Sequence, residues 1–334
     1  MENQNDKRKK PLLTLVIPVY NEEGVLAELH RRLSDVLKNM PVHVEMLFVN
    51  DGSTDDTLKY LEDLRTREPR LCILDLSRNF GKEIAMSAGI DYAQGDVVVI
   101  MDADLQDPPE LIPQLYAEWQ NGFDVVYAKR LERKGETWPK RVTAYLFYRF
   151  MRLFTNVALP EDTGDFRLLS RRAVESLKKL REQHRFMKGL FAWIGYPQKA
   201  VAFHRDPRFT GYSKWNYFRL WNFAIEGITS FTIAPLKIST YLGLLTAISA
   251  LIYALIVIAK TLIFGDPVKG YPSLMVVILF LGGIQLFTLG IIGEYLGRMF
   301  NETKQRPLYI IKDYIPGDSF AANHDQPKQK EHHE

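Results

Sequence analysis

Val97-Val98-Val99-Ile100-Met101-Asp102-Ala103-Asp104-Leu105-Gln106-Asp107-Pro108-Pro109-Glu110 sets an apolar run against an acidic turn, and the turn opens a helix from Asp107 onward. Around it, up to Tyr127, short apolar runs alternate with amphipathic segments, the pattern of a parallel α/β sheet. Strands are expected at Leu12–Pro18, Val42–Val49, Leu71–Leu76, Val97–Met101 and Asp124–Tyr127. Helices are expected at Val25–Lys38, Asp56–Arg67 and Ile84–Tyr92. Such sheets bind ligands beyond the carboxyl ends of their strands, and the acidic turn falls at one of these ends.

Two carboxylates two residues apart, Asp102 and Asp104, can hold a divalent ion against a diphosphate, with Gln106 as a further oxygen ligand. The ion neutralises the charge that develops on a leaving nucleoside diphosphate. The first strand ends in Pro18-Val19-Tyr20-Asn21-Glu22-Glu23, the second in Asn50-Asp51-Gly52-Ser53-Thr54-Asp55. Both fit turn and helix-cap chemistry, and Ser53 to Asp55 are expected to cap the next helix. Asp51 can also accept hydrogen bonds from a base edge, and Tyr20 offers a face for stacking. Neither G-x-G-x-x-G nor G-x-x-x-x-G-K-[ST] occurs, which excludes a dinucleotide oxidoreductase and a P-loop enzyme.

The 334 residues carry a formal charge of only +3, so bulk charge gives no case for nucleic acid. Basic residues nevertheless crowd Lys129 to Arg219, a surface for phosphates or anionic lipid. Cys72 is the single cysteine, which excludes a disulfide framework and a cysteine metal site. Met1 to Lys10 form a polar tail without the apolar core of a signal peptide. Ile238–Ala259 and Tyr271–Gly293 are uncharged and long enough to span a bilayer, with a pair of buried core helices as the alternative. Arg208, Lys214, Arg219 and Lys237 precede them and Arg298, Lys304, Arg306 and Lys312 follow, which puts both flanks in the cytoplasm. The expected organisation is a tail (1–10), a cytosolic α/β domain (11–230), a two-helix membrane domain (236–295) and a cytosolic tail (296–334). Aromatic, basic helices near 140–155 and 215–231 suit a headgroup layer, or else pack on the sheet.

Pro18-Val-Tyr-Asn-Glu22, Asn50-Asp-Gly-Ser-Thr-Asp55 and Asp102-Ala-Asp104, in this order, resemble glycosyltransferase family 2 with its GT-A fold, a Rossmann-like, mostly parallel sheet. Ser77-Arg-Asn-Phe-Gly-Lys-Glu83, Asp102 to Pro109, Gly164-Asp-Phe-Arg167 and Gly211-Tyr-Ser-Lys-Trp215 narrow the likeness. With the two spans, the chain is similar to bacterial polyprenyl-phosphate glycosyltransferases of the bactoprenol glucosyltransferase type, over residues 12 to 312. Dolichyl-phosphate mannose synthases are more distant relatives.

The resemblance implies that Pro18, Tyr20, Glu22, Asp51, Asp102, Ala103 and Arg130 hold the nucleotide sugar. It puts Mg2+ or Mn2+ at Asp102, Asp104 and Gln106. Arg208 and Lys214, in Arg208-Phe-Thr-Gly-Tyr-Ser-Lys214, would clamp phosphate. Asp165 is the family's candidate base. A phosphate monoester is already anionic near neutrality, with a second pKa of about 6, so beside the base role stand three alternatives: Asp165 contacts sugar hydroxyls, orients Arg167, or is a turn carboxylate. The implied reaction is inverting transfer of glucose from UDP-glucose to undecaprenyl phosphate at the cytoplasmic face of a bacterial inner membrane. UDP-N-acetylglucosamine or GDP-mannose as donor, or a silent scaffold, are the alternatives. Homo-oligomers, a flippase and a downstream glycosyltransferase are the implied partners. No Q-x-x-R-W motif marks a processive synthase, and two spans without an internal ionisable residue supply no translocation path.

Overall fold

The strand that opens the fold, Leu12–Val19 (β1), buries side chains on both faces, as a strand covered on both sides must. The computed structural model describes residues 10–131, 149, 163–203, 229–230, 232–264 and 270–318. These form two units: one holds the sheet, including residues 307 onward, and the other holds 218–306 with the two longest helices.

In the sheet unit β1 is followed by Glu23–Leu37 (α1), His43–Asn50 (β2), Thr57–Arg65 (α2), Leu71–Leu76 (β3), Lys82–Tyr92 (α3) and Val97–Ile100 (β4). A short 3-10 turn at Pro109–Leu111 leads into Ile112–Gln120 (α4) and Val125–Arg130 (β5). Then come Thr163–Ser170 (β6), Arg171–Lys178 (α5), Met187–Trp193 (α6) and Gln198–Phe203 (β7). After Ala234–Phe264 (α7) and Tyr271–Thr303 (α8) of the second unit, the chain returns to the sheet as Ile311–Ile315 (β8).

The sheet order is β7-β5-β6-β4-β1-β2-β3-β8. Four of its seven pairings are parallel, so the expected parallel sheet is a mixed one. The antiparallel pairings come from β6, wedged between β4 and β5, and from β8 on the edge of β3. Expected strands and helices coincide with observed ones to within a few residues, except that Asp124 precedes β5. Its carboxylate is taken by Ser170 Oγ and by the fork of Arg172.

α1 buries Val25, Leu26, Leu29, Leu33 and Leu37, a single helical stripe. α3 differs, because Ala85 to Ile90 are all buried. A Cβ on Gly89 would lie 2.2 Å from Val16 Cγ1, so glycine is what lets this helix press onto β1. α3 thereby brings its N-terminal residues, Lys82 and Glu83, to the carboxyl edge of the parallel strands.

The stretch from 296, expected as a tail, carries the end of α8 and then β8. β8 pairs Ile73 with Ile315 and Leu74 with Tyr314. Arg65 donates to Pro316 O, Tyr309 Oη to Asp91 at 2.8 Å, and Lys312 Nζ lies 3.0 Å from Asp75.

In the second unit, Leu244, Leu245, Leu251 and Leu255 of α7 and Leu274, Phe280, Leu286 and Leu289 of α8 are exposed. Only 6% of the most apolar window of α7 and none of that of α8 is buried, so these are not buried core helices. The segments expected to be interfacial lie outside the described residues, apart from 149, 229 and 230.

Candidate active site

β4 fixes the centre of the site. Its antiparallel register with β6 sets Val99 opposite Leu168 and Ile100 opposite Arg167, so the next outward-facing partners are Asp102 and Asp165. Lys82, at the start of α3, places its ammonium between these two carboxylates. It lies 2.6 Å from Asp102 Oδ1 and 2.5 Å from Asp165 Oδ2. Asp165 is 93% buried by side-chain and backbone together, and its Oδ1 has no hydrogen-bond partner among the described residues.

Charges from four elements meet here. Burial works to raise the Asp165 carboxyl, but Lys82, Lys188 and Arg167 overcome it and hold the group well below the usual carboxylate range. Burial pushes Asp102 up, with Lys82 pulling down and Asp165 and Asp104 adding repulsion. Glu83, half-buried near Asp165, is pushed up to about 7 by desolvation and by the Asp165 charge, and accepts the Met187 N–H at 3.0 Å. The Lys82 ammonium is held charged by Asp102 and Asp165 against its own desolvation, whereas burial lowers Lys188. Arg167 does not pair with the Asp165 carboxylate. Its guanidinium donates to the Gly164 and Asp165 carbonyls and stacks 3.7 Å over the Phe191 ring.

The acidic turn is strained: Leu105, buried, holds φ +58°. Asp104 Oδ1 accepts the Gln106 N–H at 3.2 Å, which closes the turn. Ala103 packs its side chain into the core, so only its backbone can face a ligand. Behind the turn, Arg32 anchors Glu110 with two bonds of 2.9 and 2.6 Å.

The loops after β1 and β2 are laced together. Ser53 Oγ accepts the Asn21 N–H, Asn21 Oδ1 accepts the Thr54 N–H, and Thr57 Oγ1 accepts the Glu22 N–H. Of the expected caps, Asp55 serves α2 by accepting the Thr57 N–H, while Ser53 is turned to Asn21. Asp51 accepts the N–H groups of Phe80 and Gly81 at 2.7 and 2.9 Å, which offset the burial that raises it. Pro18 stands past the end of β4, where β1 has lost one neighbour and a missing N–H is tolerated. Tyr20 is exposed.

Gly52, at φ +66°, would carry a Cβ 2.5 Å from the Arg78 carbonyl carbon. Gly52→Ala is therefore expected to destabilise the fold by about 3 kcal/mol, from strain plus a backbone clash. The denaturant midpoint of unfolding measures it, and an unchanged midpoint contradicts it.

On the other side of the site, a Cβ on Gly164 would come within 3.1 Å of Arg130 Nη2 and 3.6 Å of Asp107 Oδ2. The glycine admits the Arg130 guanidinium to the mouth of β6. Thus β-strand ends bring together Pro18, Tyr20, Glu22, Asp51, Asp102, Asp104, Gln106, Arg130 and Asp165. Arg208 and Lys214 lie outside the described residues. Lys82, Glu83 and Lys188 join the site without having been singled out. Lys82 and Glu83 at least lie in the Ser77–Glu83 motif; Lys188 carries no signal in the sequence.

Models for glycosyl transferase family 2 and for the GtrB C-terminal hairpin match residues 14–178 and 234–299. An uncharacterized glycosyltransferase of Synechocystis sp. is 55% identical over 91% of this chain and 97% of its own. The chain belongs to glycosyl transferase family 2. The bactoprenol glucosyl transferase of Shigella phage SfV is 46% identical over 90% of this chain and 98% of that one. Glucosyl-3-phosphoglycerate synthase from Mycobacterium tuberculosis, solved with Mn2+, UDP-glucose and phosphoglyceric acid, is similar at a TM-score of 0.46 and 19% identity. That likeness covers 64% of this chain and 76% of the other. The mixed, mostly parallel sheet is the GT-A architecture of this family.

Among the described residues no three His, Cys, Asp or Glu side chains form a ready-made metal cage. The residues of this family 2 chain fit another mode, in which Mg2+ or Mn2+ takes one or two carboxylates and completes its shell from phosphates and water. Asp102 and Asp104, both half-buried, repel each other across the turn, an arrangement that a cation would relieve.

Proposed function

We propose that this protein transfers glucose from UDP-glucose to undecaprenyl phosphate, with inversion, at the cytoplasmic face of a bacterial inner membrane. The observation that carries this reading is the reach of the similarity. Likeness to bactoprenol glucosyl transferases runs through both the catalytic sheet and the hairpin, over 90% of the chain.

Asp102 and Asp104, with the Gln106 amide, would hold Mg2+ or Mn2+, which supplies charge neutralisation to the departing diphosphate. Tyr20 offers its exposed ring to the base, and the laced loops carrying Glu22 and Asp51 wall the nucleoside. Arg130 faces the phosphates, joined by Arg208 and Lys214 as an acceptor clamp. Asp165 is a poor base, because its direct ion pair with Lys82 lowers its affinity for a proton. Its unpartnered Oδ1 is suited to a sugar hydroxyl. The acceptor phosphate needs aim more than deprotonation, which is what fixed charges at a strand edge provide.

Topology supports the membrane reading. β7 and β8 lie in one sheet, so any crossings of a bilayer by the intervening chain would come in an even number. α7, with 31 residues, is about 46 Å long, more than the roughly 30 Å of a hydrocarbon core. An apolar surface of this extent is unfavourable in water. The product would then need a flippase and a second transferase on the far side.

The test offers the purified chain, in lipid nanodiscs with Mg2+ or Mn2+ and undecaprenyl phosphate, a panel of UDP-glucose, UDP-N-acetylglucosamine and GDP-mannose. Labelled sugar is expected in the organic phase with UDP-glucose. Labelling from another donor alone corrects the sugar, and none from any donor removes the activity.

A further inference from the structure

We infer that Lys82 is a built-in counter-ion, which keeps the acidic turn from taking a divalent cation until a nucleoside diphosphate arrives. This rests on the metal reading of Asp102 and Asp104 given above and adds a residue and a binding order to it.

The geometry is specific. One ammonium lies 2.6 and 2.7 Å from the two oxygens of Asp102 and 2.5 Å from Asp165 Oδ2, across the register-matched strands. It therefore occupies the anionic face that a cation bridging Asp102 to a ligand would use. The side chain reaches this place from the first residue of α3 and remains 43% exposed, so it has room to withdraw. α3 itself cannot shift easily, since Gly89 presses it onto Val16.

A lone divalent ion must displace an ammonium already satisfied by two carboxylates, and the displaced charge is left among Lys188, Arg130 and Arg167. That displacement makes binding of the ion alone weak. A nucleoside diphosphate changes the balance, because its oxygens give the ion further ligands and give Lys82 a new anionic partner. Ion and nucleotide then favour each other, and the coupling is reciprocal. Without Lys82, Asp102 would lose its ion-pair partner and Asp165 would keep only the more distant charges of Lys188 and Arg167, which leaves the turn more open to a divalent cation.

The experiment titrates Mn2+ into the full chain in detergent micelles, with and without UDP, and follows free Mn2+ by electron paramagnetic resonance. In the wild type, UDP is expected to tighten Mn2+ binding by about tenfold or more. Lys82→Met is expected to bind Mn2+ without UDP about tenfold more tightly than the wild type, with the gain from UDP largely lost. Lys82→Gln repeats the measurement if the methionine variant lacks a cooperative melt. Equal wild-type affinity with and without UDP overturns the inference, as does an unchanged or weaker UDP-free affinity in the Lys82 variants; both leave the metal assignment standing. No Mn2+ bound in any arm, with UDP itself still bound, removes the metal assignment and this inference together.

Discussion

Asp104→Asn is expected to leave the chain folded and to lower sugar transfer by about a thousandfold. Asp104 is the cleaner of the two turn carboxylates to remove. The ammonium of Lys82 is bonded to Asp102 and Asp165, so that ion-paired bridge survives the change. The bond from the Gln106 N–H to Oδ1 also survives, because an asparagine can present its amide oxygen there. What disappears is one negative charge at the place where the cation would meet the diphosphate. Asp102→Asn, by contrast, would strip a partner from Lys82 and leave its ammonium paired with Asp165 alone, confounding loss of the turn charge with loss of the ion-paired bridge. The measurement pairs labelled lipid formed per minute with the melting temperature, which should stay within about 3 °C of wild type. Wild-type rates in the variant would remove the cation from Asp104.

The carboxyl edge of this sheet was legible because its parallel strands are continuous apolar runs that end in polar turns. Val97 to Met101 followed by Asp102 is such a case. β6 was not legible, although it is wholly buried, since Thr163-Gly164-Asp165-Phe166-Arg167 carries two charges through the middle of the sheet. Those charges are tolerated in large part through partners remote in the chain, Lys82 for Asp165 and, beside the nearby Gly164 and Asp165 carbonyls, the Phe191 ring for Arg167. Periodicity has no access to such pairings. β8 is hidden for another reason: Ile311-Lys312-Asp313-Tyr314-Ile315 is short, half polar and placed after two long apolar helices. The motif residues Asp51 and Asp165 were found, but their immediate company was not, because it is set by how closely α3 sits on β1. The acidic pair is visible in the sequence; the ammonium lodged against it is not.

Ending the chain at Arg306 is expected to abolish cooperative folding of the sheet unit, whereas ending it at Asp318 should leave the melting temperature unchanged. The shorter chain loses β8 and the bonds that fasten it. Ser77 N–H loses Ile310 O, Arg65 loses Pro316 O, Asp91 loses Tyr309, and Asp75 loses Lys312. At about 1 kcal/mol net for each such bond, together with the strand ladder, the loss is on the order of 5 kcal/mol. A domain stable by about 5 to 15 kcal/mol does not comfortably survive that. The uncovered edge is Leu71-Cys72-Ile73-Leu74, apolar and buried on both faces in the intact sheet, and such an edge invites pairing with another copy. Circular dichroism melts and size-exclusion profiles of the two truncated chains decide it. Because β8 follows α8 in the chain, the sheet is completed only after both apolar helices have been made. Folding of the sheet unit is thus tied to synthesis of the hairpin, and a chain ending at Arg306 that melts at the full-length temperature would make β8 a dispensable addition to a sheet already complete.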